Sequence, residues 1–175
     1  MGMNGFLLLI PFFLIRFGLL ALLNKKAILR AARFPPCCGK EKIAYWVYQI
    51  SNVAIFVMLL FLSVPLSISR QAIAGWIGYS VGLLLCTVSV IHFAFPAPNG
   101  LNTNGIYRFS RNPMYLSYFI YFLSLCLLTR SWVLLGMVML FQVSAHWIIR
   151  AEERWCLETF GDDYRNYMKQ VRRYL

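Results

Sequence analysis

Acidic residues are scarce. Six Asp and Glu stand against 17 Lys and Arg in a chain of 175 residues, for a formal net charge of +11. Charged residues of both signs make up only 13% of the chain, about half the share of an ordinary globular domain. Long polar stretches are missing too: the chain has no internal repeat and no low-complexity linker. This composition argues against disorder. A nucleic-acid binder of this charge would set its basic residues on a polar chain. Here 60% of the residues are hydrophobic and the mean hydropathy is +0.63. A soluble domain of this length cannot hide so much apolar surface in one core. The class that remains is a small polytopic membrane protein, an all-α helical bundle.

Other absences narrow the chemistry. No glycine-rich dinucleotide fingerprint follows a strand, which excludes a soluble Rossmann-type site. The five cysteines, Cys37, Cys38, Cys86, Cys126 and Cys156, include no Cys-x-x-Cys pair, so no metal or redox centre is expected. Cys86 and Cys126 read as core filler. Cys37-Cys38, beside basic residues, is either an idle pair or a palmitoylation site.

Five stretches approach the roughly 20 apolar residues that cross a bilayer. They are residues 6–23, 43–66, 71–95, 112–129 and 131–149. They leave no room for a separate soluble domain. The first has no basic segment ahead of it, so it reads as a true span rather than a signal peptide. Phe6 also stands where a myristoylation signal wants Ser or Thr. Arg16 inside this span is costly in lipid, so it either faces the bundle or snorkels.

Charge sets the expected topology. Residues 24–42, 96–111 and the tail from Arg150 together hold 14 of the basic residues. The opposite loops hold only Arg70 and Arg130. By the positive-inside rule the fourteen are cytoplasmic, which puts the N-terminus outside and the C-terminus inside. That alternation requires an odd number of spans, consistent with five. The expected organisation is one membrane domain: three N-terminal helices over residues 1–95, then a loop, a helical hairpin and a cytoplasmic tail over 96–175. Five of the six acids follow the fifth span: Glu152, Glu153, Glu158, Asp162 and Asp163. Solvated chemistry therefore belongs on the cytoplasmic face.

The most informative stretch runs from Gly105 to Tyr115. Asn112 suits a helix N-cap and Pro113 the first helical position. A helix start flanked by Arg108 and Arg111 is either a site for a carboxylate or phosphate or an ordinary juxtamembrane loop. The short link between the fourth and fifth spans predicts an antiparallel hairpin that returns Glu152 and Glu153 to this helix start. Neighbours on a helix do not share a face, so the two acids do different things. Gly161 predicts a helix stop and Asp162 a new N-cap. Phe160, Tyr164, Tyr167, Val171 and Tyr174 then recur at helical spacing, an amphipathic interfacial helix that either roofs a cavity or anchors the tail.

These motifs resemble the isoprenylcysteine carboxyl methyltransferase family of integral membrane methyltransferases, whose broad plan the phospholipid methyltransferases share. The first motif reads Gly105-Ile106-Tyr107, then Arg111-Asn112-Pro113-Met114-Tyr115. The second is Glu152-Glu153, followed by Phe160-Gly161-Asp162-Asp163-Tyr164-Arg165-Asn166-Tyr167. Asn112 stands where many members carry His. The resemblance implies S-adenosylmethionine as methyl donor and a lipophilic acceptor. It implies a donor site at Gly105, Tyr107, Arg111, Asn112, Pro113, Tyr115, Glu152 and Glu153.

The residue types suit that chemistry. A sulfonium suits the faces of Tyr107 or Tyr115. A carboxylate suits Arg111 at the helix start. An ammonium or ribose hydroxyl suits Glu152 or Glu153. A carboxyl acceptor, such as an isoprenylcysteine-like substrate, wants a positioning cation, for which Arg108, Arg150 and Arg154 are candidates. An amine acceptor, as in a phospholipid, wants a base, for which Glu153 and His146 are candidates. His92 otherwise reads as a packed interfacial side chain. The alternatives of another class are a transporter subunit and a non-catalytic scaffold. A transporter would call for paired intramembrane charges or broken helices, and only Arg16 is offered.

Overall fold

The computed structural model describes residues 2–32, 35–36, 39 and 41–174. Arg33, Cys37, Cys38 and Lys40 lie outside the described residues, and the expectation of an idle or palmitoylated Cys37-Cys38 pair with them. Helix makes up 78% of the chain, and among the described residues the fold is all-α apart from one two-stranded sheet.

Strand β1 (Gly2–Asn4) leads into α1 (Gly5–Leu23). The Asn4 side chain accepts from the Phe6 amide and caps the first turn. Within α1, Leu14–Leu19 form a π-helical stretch that contains Arg16. Asn24 is extended and breaks the helix. Its side chain then caps α2 (Lys25–Ala31) by accepting from Lys26. Helix α3 (Glu41–Phe61) is shorter than the 43–66 expected. Pro65 cannot continue a helix and restricts the residue before it. Ser63–Pro65 instead form β2, antiparallel to β1 with Met3 opposite Val64.

Helix α4 (Arg70–Ala94) starts at the Ser69 cap and matches its expected span. It lies against α5 (Pro113–Thr129) along a seam of glycines. A Cβ at Gly82 would stand 2.8 Å from the Tyr121 Cα, and one at Gly78 would stand 3.1 Å from the Ser124 Cβ. Absent side chains thus let the two backbones approach closely. The Tyr79 and Tyr121 hydroxyls both donate to the Leu8 carbonyl, at 3.0 and 2.8 Å, and Phe12 stacks on Tyr121. These contacts pin α1 to the α4–α5 pair.

Arg130 in the left-handed region ends α5, and the Ser131 side chain caps α6 (Trp132–Phe160). The hairpin is present, but α5 lies chiefly against α4 and α6 chiefly against α3. Helices α1, α3, α4 and α6 are long and apolar enough to cross a membrane. Helix α5 has 17 residues, about 25 Å of rise, and is the shorter fifth member. Helix α6 continues past the expected 149 to Phe160, which carries both glutamates on unbroken helix.

Gly161, at φ +55°, makes the expected stop. It also occupies the N-cap of α7 (Asp162–Gln170), so Asp162 is the first helical residue instead and pairs with Arg165 at 3.0 Å. The helix ends before Val171, short of the expected Tyr174. The last residues turn back as a strap. The Arg172 carbonyl accepts from the Arg111 amide, and the Arg173 carbonyl from Ser110 and Asn112 side chains. Asn112 holds the cap position of α5, but its side chain is spent on the strap rather than on the helix end.

Candidate active site

A cavity of about 710 Å³ opens where α1, α2, α3, α5, α6 and α7 meet the loop after α4. This falls within the usual range of small-molecule sites. Two adjacent acids of α6, Glu152 and Glu153, stand in its wall with different duties.

Glu153, only 4% exposed, is the centre of a clamp. One of its oxygens takes Arg111 at 2.8 Å and the other takes Arg173 at 2.7 Å. Arg111 also donates to the Met168 and Val171 carbonyls at 3.1 and 3.2 Å. The loop, α6, α7 and the strap are thereby tied at one point. Charge-assisted bonding to Glu153 holds the Arg173 guanidinium above its ordinary value. Of the three charged groups expected to bind a ligand here, Arg111, Glu152 and Glu153, the first and last are occupied with each other.

Glu152 points elsewhere. The Tyr115 hydroxyl donates to its Oε1 at 2.8 Å. Among the described residues its Oε2 carries no hydrogen bond and neither oxygen meets a cation within ion-pair distance. Tyr107, Asn112, Pro113, Met114 and Tyr118 continue the same wall. The Tyr167 hydroxyl donates to the Tyr107 carbonyl at 2.6 Å, which fixes α7 over the loop. Tyr164 and Tyr167 line the cavity, so the amphipathic tail roofs it. Burial pushes the Tyr107 and Tyr164 phenols above their ordinary value, which keeps them neutral.

Gly105 stands behind this wall rather than in it. Its φ is +58°, and a Cβ there would overlap the His92 ring. His92 itself bonds the Val88 carbonyl at 2.8 Å. The residue is glycine because the loop must turn tightly against α4.

Three arginines expected to position an acceptor lie outside the cavity. Arg150 is exposed and sits over the Trp147 ring at 5.2 Å. Arg154 pairs with Glu41 at 2.6 Å and donates to the Pro36 carbonyl. Both fall on one i, i+4 stripe of α6, whereas Glu152 and Cys156 form the stripe that faces the cavity. Arg108 is exposed on the outer side of the loop. His146, a candidate base, bonds the Tyr174 hydroxyl at 2.8 Å and does not reach the cavity.

Two other cations stand inside instead. Arg30 lines the cavity, donates to the Phe93 carbonyl at 2.6 Å and stacks on the Phe93 ring. Arg16 lines it as well, and its Nη1 is buried with no hydrogen-bond partner. In the sequence the only signal for Arg16 was its cost within an apolar run. Arg30 was indistinguishable from the other loop cations. Tyr48, Asn102, Tyr118 and Trp155 also line the cavity, and nothing in their spacing set them apart from core or interface residues.

A family model described as phospholipid methyltransferase matches residues 58–163, from the end of α3 to the start of α7. Comparison with curated proteins gave no match, and comparison with solved structures gave none. The matched segment holds the loop, Tyr115 and both glutamates, and it covers more than half of the chain. The family is related to the isoprenylcysteine carboxyl methyltransferases. The chain belongs to the phospholipid methyltransferase family and is a membrane methyltransferase.

Proposed function

We propose that this methyltransferase uses S-adenosylmethionine, holds it in the cavity at the start of α5, and methylates a lipophilic acceptor. The observation that carries this reading is Glu152. It is a carboxylate oriented by the Tyr115 hydroxyl, with one oxygen uncommitted, in a cavity of ligand size walled by tyrosines. When bound, S-adenosylmethionine supplies a methyl group already activated by its sulfonium sulfur. The residues present fit it. Glu152 accepts from an ammonium or a ribose hydroxyl. Tyr107 and Tyr115 supply aromatic surface for a cationic centre. Asn112 and Pro113 bring the N-terminus of α5 to the same wall. Arg111 and Glu153 line the same cavity, but their clamp with Arg173 occupies them, and they hold loop and tail in register. Orientation by such walls contributes roughly 7–11 kcal/mol where both reactants are held in line.

For the acceptor, carboxyl O-methylation of an isoprenylcysteine-like or other hydrophobic acid is the first reading. A carboxylate is nucleophilic without a base and needs a cation beside it, and Arg16 is available in the cavity. Amine N-methylation of a phospholipid is the second. It is favoured by Glu152, whose open oxygen can take a proton from an ammonium. Residues 96–175 supply the donor wall, and residues 1–95 add Arg16, Arg30 and Tyr48 to the lining. The 14 basic residues on this side of the spans support a cytoplasmic position for this end of the bundle.

The test is mass spectrometry of lipids and hydrophobic acids from cells with and without the gene. A species heavier by one methylene, present only with the gene, names the acceptor. No such species in either fraction would sink the reading.

A further inference from the structure

Arg16 sits in the middle of α1, seven residues from its end at Leu23, about 10 Å along the helix. A guanidinium at that depth is expensive unless it is paired. Yet Nη1 is buried without a partner, and no ion pair or hydrogen bond engages the group among the described residues. Its neighbours are the rings of Phe17 and Tyr118, each 5.9 Å from the guanidinium carbon. Glu152 lines the same cavity but makes no contact of ion-pair length with it. Arg30, the other free-standing cation in the lining, has spent an Nη2 on the Phe93 carbonyl. Arg16 also lies in a π-helical stretch, a feature that often marks functional sites in helices.

We infer that Arg16 receives the carboxylate or phosphate of the lipophilic acceptor at the membrane-deep end of the cavity. The inference rests on the cavity being the methyl-transfer site. Depth argues for the acceptor rather than the donor. Tyr118, beside Arg16, is more than a turn into α5 from the Asn112 end, where loop and tail form the outer wall. Leu14 and Phe17, flanking Arg16 on α1, are 64% and 57% exposed, so this end adjoins the lipid-facing surface. A guanidinium there offers five donors in a fork that fits either anion.

The experiment measures binding of three labelled probes to the full-length protein in neutral detergent: oleate, dioleoyl phosphatidic acid and oleyl alcohol. Labelled S-adenosylmethionine is measured in parallel. The wild type should bind at least one anionic lipid about tenfold or more tighter than the alcohol. Whether oleate or phosphatidic acid leads names the anion. In Arg16→Gln that preference should vanish while donor affinity stays within about twofold, and Arg16→Lys should keep part of the preference. No anion preference in the wild type overturns the inference, whether or not either variant folds. So does a preference that survives in Arg16→Gln, or a donor affinity that falls with it. Anion preference without any donor binding would instead contradict the methyl-transfer reading and uphold the anion site.

Discussion

Glu152 and Glu153 are adjacent, yet the fold gives them opposite work. Glu153 is consumed by two guanidiniums, and Arg111 on one side of it is nearly as buried as the carboxylate itself. Removing Glu153 strands Arg111. Glu153→Ala should therefore destabilise the protein by about 3 kcal/mol, seen as a lowered unfolding temperature in detergent. Glu152→Gln should leave that temperature close to wild type, because its only hydrogen bond among the described residues is from Tyr115. It should weaken donor binding roughly tenfold to a hundredfold, the cost of an unmatched buried partner. Tyr115→Phe removes the orienting bond alone, and donor affinity should fall by only about fivefold. Equal effects of the two glutamate variants on unfolding temperature would contradict this division. The Glu pair and Tyr115 were legible as motif residues. Which glutamate was free was not, because Arg173 reaches Glu153 only through a strap that no local pattern announces.

At the scale of elements, the α4–α5 seam positions the site, since α5 carries Asn112 to Tyr118. Gly82→Ala places a Cβ 2.8 Å from the Tyr121 Cα, where backbone rather than a flexible side chain must give way. It should cost about 1–3 kcal/mol. Gly136→Ala on α6 meets nothing within 4 Å and should be neutral or slightly stabilising. Thermal unfolding of the two variants in the same detergent checks the contrast. Hydropathy marked all five apolar helices, and the Asn-Pro start and Gly161 stop were readable from local backbone chemistry. What it missed is tertiary. Residues 62–66 are as apolar as a span, but Pro65 and pairing with β1 turn part of them into a strand. Tyr174 continues the helical spacing on paper, yet residues 171–174 leave the helix to bond the loop.

For the molecule as a whole, composition established the membrane class, and the scarcity of acids pointed to the cavity's carboxylates. It could not identify the cavity's cations, because 17 basic residues offer too many candidates. Helix phase removed Arg150 and Arg154 from the site, and only packing placed Arg16 in it. The charge distribution also makes a prediction at this scale. Reporter domains fused at the two termini should report the N-terminus outside and the C-terminus in the cytoplasm. The central claim is that the cavity built on Tyr115 and Glu152 holds the methyl donor. It is tested most directly by equilibrium binding of labelled S-adenosylmethionine to purified wild-type, Glu152→Gln and Arg150→Ala proteins. Saturable binding that Arg150→Ala keeps and Glu152→Gln loses is the predicted result. Absence of binding to the wild type, or equal binding by all three, would contradict it.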